Sequence, residues 1–170
     1  NDNIWVGTLN DGLNKINLAN KNLKRYYEND KDSYSIGSNA ITSIIKDKHD
    51  NLWIGTTQGG LARYDDKNDL FIKRISDKIN QYSIINNNIT VLYEDRQGLI
   101  WSGMEGEGVS KFNPQTSFSN YKRTEKFEND INDNNILCVY KDADGIVWIG
   151  TKNGGMNKID FDNKVVKYYT

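Results

Sequence analysis

The chain has 170 residues, a formal net charge of −1, 36% hydrophobic residues and a single cysteine, Cys138. The near-neutral charge gives no electrostatic argument for binding nucleic acid or an acidic membrane, and one cysteine excludes an intramolecular disulfide or a cysteine-based zinc site. Four Trp, ten Tyr and five Phe argue against disorder, which usually lacks aromatic residues.

The chain opens with a string that returns three times. "DNIWVGTLNDGLNKIN" from Asp2 is followed by "DNLWIGTTQGGLARYD" from Asp50, "GLIWSGMEGEGVSKFN" from Gly98 and "GIVWIGTKNGGMNKID" from Gly145. Its tryptophans stand 48, 48 and 47 residues apart, and glycines follow each of them by two and by seven residues. The columns are Trp5, Trp53, Trp101 and Trp148; Gly7, Gly55, Gly103 and Gly150; and Gly12, Gly60, Gly108 and Gly155. So regular a period indicates a repeat architecture.

Each unit has the pattern of β-strands throughout. Runs such as "AITSIIKD" reach an Asp-led turn and then the Trp run, which is typical of a hairpin. A Gly-containing turn leads to a third strand such as "LARYD", and a polar turn to a fourth such as "LFIKRIS". Adjacent Trp53 and Ile54 point to opposite faces, so the second strand is covered on both. These features predict an all-β fold of β-propeller blades, each of four antiparallel strands.

The predicted blades lie at about residues 1–36, 37–84, 85–131 and 132–170, within one propeller segment. The first blade lacks its opening strand, so the four should contain three, four, four and four strands. We expect an incomplete part of a larger propeller, either a segment of a longer one or a homo-oligomer that closes through exposed blade faces. Each Trp should fill the gap between neighbouring blades, and the second glycine column should take a positive φ.

The string from Asp50, with the upstream run from Ser35 to Thr42, resembles the two-component regulator propeller repeat. The fourth copy fits the family pattern closely, at Asn134, Ile136, Asp142, Gly145, Trp148, Gly150, Thr151, Gly154, Gly155 and Lys158. The resemblance implies an extracytoplasmic, periplasmic or extracellular, sensor region of a membrane-anchored histidine kinase, hybrid regulator or diguanylate cyclase, some of which detect polysaccharides. The third copy departs most, with Ser102, Met104 and "EGEG" from Glu105, which puts its turn geometry in question and makes it the candidate specialised blade.

Meander topology predicts which loops share an end of the blades. The second-to-third turns of the blades and the long inter-blade connections lie at one end of the blades, which we call the connection end. The other turns lie at the opposite end, which we call the turn end. Long loops on a rigid scaffold commonly bind ligands, and aromatic and amide side chains suit a small molecule or oligosaccharide. The candidate ligand-binding residues at the connection end are Glu105, Glu107, Tyr34, Tyr82, Asn39, Asn87 and Asn134. The competing interpretation is that the asparagines cap blade junctions through side-chain-to-backbone hydrogen bonds.

Other polar columns are interpreted structurally. Aspartates six residues before a Trp should close hairpins as Asx turns. They should not form an EF-hand calcium site, because that site needs a 12-residue ligand pattern and these turns are far shorter. The side chains of a basic column should have their aliphatic stems along apolar blade surface and their charged groups in water. The two columns are Asp47, Asp95 and Asp142, and Lys15, Arg63, Lys111 and Lys158. We expect His49 to be a solvated residue at the turn end and Cys138, within "ILCVY", to be a small buried hydrophobe.

The sequence shows no nucleophile-and-base pairing, no phosphate-cradling loop and no His/Cys metal cluster. We therefore expect no catalytic residue, no metal site and no cofactor in this segment, and a non-catalytic, ligand-sensing role. The alternatives are a propeller enzyme of the streptogramin-lyase type and a protein-interaction or structural repeat module, because fold alone does not choose between them.

Overall fold

The computed structural model describes residues 2–77, 79–80, 83–114, 118–123, 130–160, 163 and 165–169. Within them the chain forms four antiparallel sheets, and each sheet is a meander in which consecutive strands are neighbours. Sheet 1 contains β1 (Asn3–Gly7), β2 (Leu13–Asn17) and β3 (Leu23–Tyr26). Sheet 2 contains β4 (Ile41–Lys46), β5 (Leu52–Thr56), β6 (Leu61–Asp65) and β7 (Leu70–Arg74).

Sheets 3 and 4 repeat this plan. Sheet 3 contains β8 (Ile89–Glu94), β9 (Ile100–Met104), β10 (Gly108–Phe112) and β11 (Phe118–Tyr121). Sheet 4 contains β12 (Ile136–Lys141), β13 (Val147–Thr151), β14 (Met156–Asp160) and β15 (Val165–Tyr169). The predicted all-β fold, with three, four, four and four strands, is confirmed. No helix in the described part of the chain is long and apolar enough to span a membrane.

Consecutive sheets pack face to face through a glycine that receives an isoleucine. A Cβ built on the glycine two residues after each Trp would meet the Cγ2 of the first isoleucine of the next sheet. The pairs are Gly7–Ile41, Gly55–Ile89 and Gly103–Ile136, at 2.4, 2.6 and 2.6 Å. Since these distances are far shorter than any tolerated carbon contact, the glycine column is required by the close approach of adjacent blades.

Three hydrophobic cores lie at the three junctions between sheets. Tyr64 and Phe71 of sheet 2 pack against sheet 1, with Trp5 at the edge of the cluster. Trp53 lies in the core between sheets 2 and 3, and Trp101 in the core between sheets 3 and 4. These two rings are 0% and 1% exposed, so the prediction that Trp fills the gap between blades is confirmed at both junctions.

The outward faces of sheets 1 and 4 are apolar and exposed in this chain. On sheet 4, Leu137, Tyr140 and Met156 are 60%, 54% and 41% exposed. Cys138 lies on the same face and is also exposed, so the prediction of a buried cysteine was wrong. The equivalent residue of sheet 2, Ser43, accepts a hydrogen bond from Leu92 N of the following sheet. Cys138 is exposed because none of the described residues packs on that face.

Candidate functional site

The connection end is assembled as the meander topology predicts. At each of the three junctions, the turn glycine at this end donates its N–H to the carbonyl of an asparagine in the connection to the next sheet. The bonds are Gly12 N to Asn39 O at 2.9 Å, Gly60 N to Asn87 O at 3.0 Å and Gly108 N to Asn134 O at 2.8 Å. The same three glycines and Gly155 have φ between 70° and 86°, which confirms the predicted left-handed turn position.

The candidate asparagines hold these connections through their side chains as well. The Oδ1 atoms of Asn39, Asn87 and Asn134 accept hydrogen bonds from backbone N–H groups 11 residues earlier, at 2.8, 2.7 and 2.6 Å. This geometry matches the interpretation in which the asparagines cap the blade junctions through side-chain-to-backbone hydrogen bonds. Within the described residues, the three Nδ2 groups make no hydrogen bond, so a ligand-binding role for them stays a prediction.

The two candidate glutamates lie on the turn between β9 and β10. Glu105 is exposed, Glu107 is half-buried, and Glu105 N donates to Asn88 O at 3.1 Å. Gly106 and Gly108 have φ of 75° and 86°. The corresponding residues of sheet 2, Gln58 and Gly60, have 66° and 74°. The departing third copy therefore keeps the turn conformation of its neighbours.

The remaining candidates are not brought to one place. Tyr34 is 59% exposed, and its carbonyl accepts from Phe71 N at 2.9 Å on the outer strand β7. Tyr82 lies outside the described residues. Asn39, Asn87 and Asn134 lie one at each junction, so the predicted residues do not form one cluster.

The aspartate column does more than close hairpins. Asp47 Oδ1 accepts from His49 N at 2.9 Å and Asn51 N at 2.8 Å, which confirms the Asx turn, and His49 is exposed there as predicted. The other carboxylate oxygen accepts the indole Nε1–H of the Trp six residues later. These bonds are Asp47–Trp53 at 2.9 Å, Asp95–Trp101 at 3.1 Å and Asp142–Trp148 at 2.8 Å. The spacing of six was visible in the sequence, but the bond to the indole was missed.

The basic column lies over the tryptophans. Lys15, Lys111 and Lys158 place Nζ 5.2, 5.1 and 5.3 Å from the ring centroid of the Trp opposite them on the neighbouring strand. This is a cation–π arrangement, which was not predicted from the sequence. Arg63 instead donates to Asn51 Oδ1 at 3.3 Å.

A groove that sequence reasoning missed lies at the first junction, on the turn end. Its walls are the β2–β3 turn of sheet 1 and the β6–β7 turn of sheet 2, and its volume is about 570 Å³. At its base Tyr26 and Tyr64 donate to Asp69 Oδ1 at 2.6 and 2.5 Å, and Lys24 pairs with the other Asp69 oxygen. Lys15 Nζ donates to Tyr64 Oη at 3.0 Å. We call this the first-junction groove.

Electrostatics keep the base of this groove in one protonation state at neutral pH. Burial, followed by donation to Asp69, raises the pKa of both Tyr26 and Tyr64. Burial opposes ionisation of Asp69, but the hydrogen bonds from Lys24, Tyr26 and Tyr64 outweigh it and lower its pKa to about 2. The tyrosines therefore remain neutral donors and Asp69 a carboxylate acceptor.

Four meander sheets packed in series through a tryptophan define a segment of a β-propeller. Three of its repeats match the model of the two-component regulator propeller family, over residues 35–58, 83–106 and 130–153. No curated protein matches the chain.

Solved structures share this fold. The extracellular domain of BT4673, a candidate hybrid two-component system from B. thetaiotaomicron, is 25% identical with a TM-score of 0.80, over 98% of this chain and 23% of that one. The extracellular domain of a second such system, BT3049 from the same organism, is 22% identical with a TM-score of 0.77, over 98% and 22%. PorZ, a surface component of the type-IX secretion system of Porphyromonas gingivalis, is 18% identical with a TM-score of 0.65, over 91% and 23%. The chain thus spans less than a quarter of the length of each of these relatives.

Proposed function

We propose that this chain is part of the extracytoplasmic ligand-sensing propeller of a bacterial two-component receptor and is itself non-catalytic. The observation that carries the proposal is the agreement of two findings. Three repeats match the two-component regulator propeller model. The whole fold superposes, at 25% identity, on the extracellular domain of a candidate hybrid two-component system. The output, a histidine kinase in a membrane-anchored parent protein, lies outside these four sheets.

The open faces of sheets 1 and 4 indicate what covers them in the working receptor. At each internal junction a glycine receives an isoleucine of the following sheet. A Cβ on the equivalent Gly150 would meet only Cys138 Sγ of its own sheet. We therefore assign further blades of the same propeller to these faces. A second copy of the chain, closing a homo-oligomeric ring, is the alternative partner.

A ligand acts on such a receptor only if it binds two arrangements of the propeller with different affinity. The blade junctions are the natural place for this difference, because each is held by a small set of polar bonds around one tryptophan. A small molecule or oligosaccharide that bridges two sheets would shift their packing and pass the change to the membrane-spanning output. No observation on the described residues favours the streptogramin-lyase or structural-array alternatives.

The test uses cells that carry the intact receptor and a transcriptional reporter of its output. We expect one purified oligosaccharide to raise the reporter signal and to bind the extracytoplasmic region in isothermal titration calorimetry. Glu105→Gln with Glu107→Gln tests whether the connection end takes part, with Asp144→Asn, an exposed turn-end substitution, as the control. If no oligosaccharide or other small molecule changes the output, and none binds the folded region, the sensing role is wrong.

A further inference from the structure

Sheets 1 and 4 carry matching residues on the face that a following sheet would cover. These residues are Trp5, Lys15, Lys24 and Tyr26 on sheet 1, and Trp148, Lys158, Lys167 and Tyr169 on sheet 4. In each sheet the Tyr ring lies beside the Trp ring, with centroids 5.8 Å apart in sheet 1 and 5.9 Å apart in sheet 4. Tyr26 is 8% exposed because sheet 2 packs on it, whereas Tyr169 is 47% exposed. The first junction is therefore a template for the contacts that sheet 4 can make.

At the first junction, the following sheet neutralises a pair of like charges. Lys15 and Lys24 stand directly opposite each other on adjacent strands of sheet 1. Like charges in this position destabilise a sheet. The β6–β7 turn of sheet 2 supplies one carboxylate to each lysine. Lys15 Nζ pairs with Asp66 at 3.1 Å, and Lys24 pairs with Asp69.

On sheet 4 the same pair of lysines has no such carboxylates. Lys158 and Lys167 are directly opposite each other, and both line an open recess of about 350 Å³. Within the described residues, neither lysine forms an ion pair. Asp160 lines the same recess, and its carboxylate accepts hydrogen bonds within its own turn. The pKa of Asp142 is lowered by the hydrogen bond from Trp148 and also by the charge of Lys158, but these two charged groups are not paired. The face therefore presents two cations that a covering sheet has to neutralise.

A second copy of this chain would bring the wrong charge to this recess. Its sheet 1 would take the place that sheet 2 takes at the first junction, and its β2–β3 turn would take that of the β6–β7 turn. When the repeats are aligned, Leu18 stands at the position of Asp66 and Lys21 at that of Asp69. Lys21 and Asp69 have the same backbone conformation, with φ of 57° and 56°. Lys21 would therefore approach the lysine pair of sheet 4, and like charges brought together across an interface disfavour that partner.

We propose that the outward face of sheet 4 binds a blade whose third-to-fourth-strand turn carries two carboxylates, and that it rejects a second copy of this chain. The carboxylates stand at the positions equivalent to Asp66 and Asp69 and pair with Lys158 and Lys167. One of them also accepts the phenol O–H of Tyr169, as the equivalent carboxylate does at the first junction. This inference rests on the proposed function, which assigns further blades to this face, and it specifies the charge that the covering blade carries.

The experiment gives sheet 1 the two carboxylates and measures self-association of the chain by sedimentation velocity over a concentration series. Leu18→Asp with Lys21→Asp makes this change. Both side chains are exposed, and aspartate tolerates the left-handed conformation at position 21. We expect the double variant to self-associate at least about tenfold more tightly than the parent chain, and less tightly as the salt concentration rises. Adding Lys167→Glu to the double variant should return its association to the level of the parent.

His49→Asp with Arg96→Asp is the matched control, because it makes the same change in net charge on exposed turn-end residues of sheets 2 and 3. Unfolding midpoints establish that every variant folds. The proposal is overturned if the double variant associates no more tightly than this control, or if Lys167→Glu leaves its association unchanged. It is also overturned if the parent chain associates as tightly as the double variant. The assay contains no ligand and no output, so these failures differ from failure of the sensing function, which is a receptor that responds to no ligand.

Discussion

Asp95→Asn tests whether the aspartate column holds the tryptophans that join the blades. The Asp95 side chain is fully buried. Its Oδ1 accepts from Gln97 N and Leu99 N at 2.9 and 3.0 Å, and asparagine keeps that acceptor. Its Oδ2 accepts from Trp101 Nε1 at 3.1 Å and Lys141 Nζ at 3.3 Å. In the variant an NH₂ group faces these two donors.

The expected loss of unfolding free energy is about 3 kcal/mol. A buried donor left without an acceptor costs about 1–3 kcal/mol, and a hydrogen bond to a charged group contributes about 1.5–3 kcal/mol. The Trp101 indole, 1% exposed, has no route to water and bears most of this cost. Lys141 keeps Gln97 Oε1 at 3.0 Å, so its share is smaller and the two losses do not add fully.

Urea unfolding at neutral pH, followed by tryptophan fluorescence, measures this loss. Asp142→Asn is the matched control, because it makes the same exchange beside Trp148, which is half-buried and open to water. We expect a smaller loss there. In the Asp95→Asn background, Trp101→Phe removes the orphaned N–H and should therefore cost less than it does in the parent. An Asp95→Asn protein within about 0.5 kcal/mol of the parent, the range of surface substitutions, would refute the role of this bond.

The pH dependence gives a second check on Asp95. Burial opposes its ionisation, but the bonds from Trp101 and Leu99 and the charge of Lys141 outweigh burial, so its pKa lies below the ordinary value of 3.8. A depressed pKa contributes stability that is present above the unfolded-state pKa and is lost as the pH falls through the folded-state pKa. The gap between parent and Asp95→Asn should therefore be constant above about pH 5 and narrow below about pH 4.

Three further substitutions test the junctions. Gly55→Ala puts a Cβ 2.6 Å from Ile89 Cγ2 and should cost about 1–3 kcal/mol in urea unfolding; a double variant with Ile89→Ala should lose less than the sum of the two single losses. Trp101→Ala should cost about 3–5 kcal/mol and Trp148→Ala clearly less, and equal losses would contradict the assignment of Trp101 to a closed junction. Asp69→Asn should cost about 1 kcal/mol at pH 7, discounted because that carboxylate is 38% exposed. Its deficit should shrink as the pH falls from about 4 towards the Asp69 pKa of about 2.

Features that recur in every repeat could be predicted from the sequence. The Trp and Gly columns show where each blade packs, since one geometry repeated four times leaves a periodic trace of the residues that it requires. The left-handed glycines are the clearest case, with φ of 70° at Gly12 and 74° at both Gly60 and Gly155. The Asp column was equally visible, but a spacing of six residues does not reveal that one oxygen binds the turn and the other the indole.

Features that occur once left no such trace. Asp69 meets Tyr26 from 43 residues away and Tyr64 from five, and no other repeat carries this trio. The burial of Cys138 was mispredicted for a related reason. An apolar run on an inner strand predicts burial only if a sheet packs on that face, and none of the described residues does. Local pattern specifies a blade, whereas exposure depends on the neighbours of that blade.

The residues that recur in every repeat and the residues that differ between repeats therefore have different roles at a junction. The columns provide what every junction needs: clearance at glycine, an isoleucine in that clearance, and a tryptophan held by an aspartate. The position opposite Leu13 on β3 is Tyr26, and the equivalent position opposite Leu61 is Arg74. This position varies although its backbone setting is constant: Arg74 lies against the rings of Trp53 and Phe112, whereas Tyr26 packs edge-on against Phe71. Since the shared columns maintain the packing of each junction, such a position is free to vary, and the residues that break the repeat are the ones that distinguish one junction from the next.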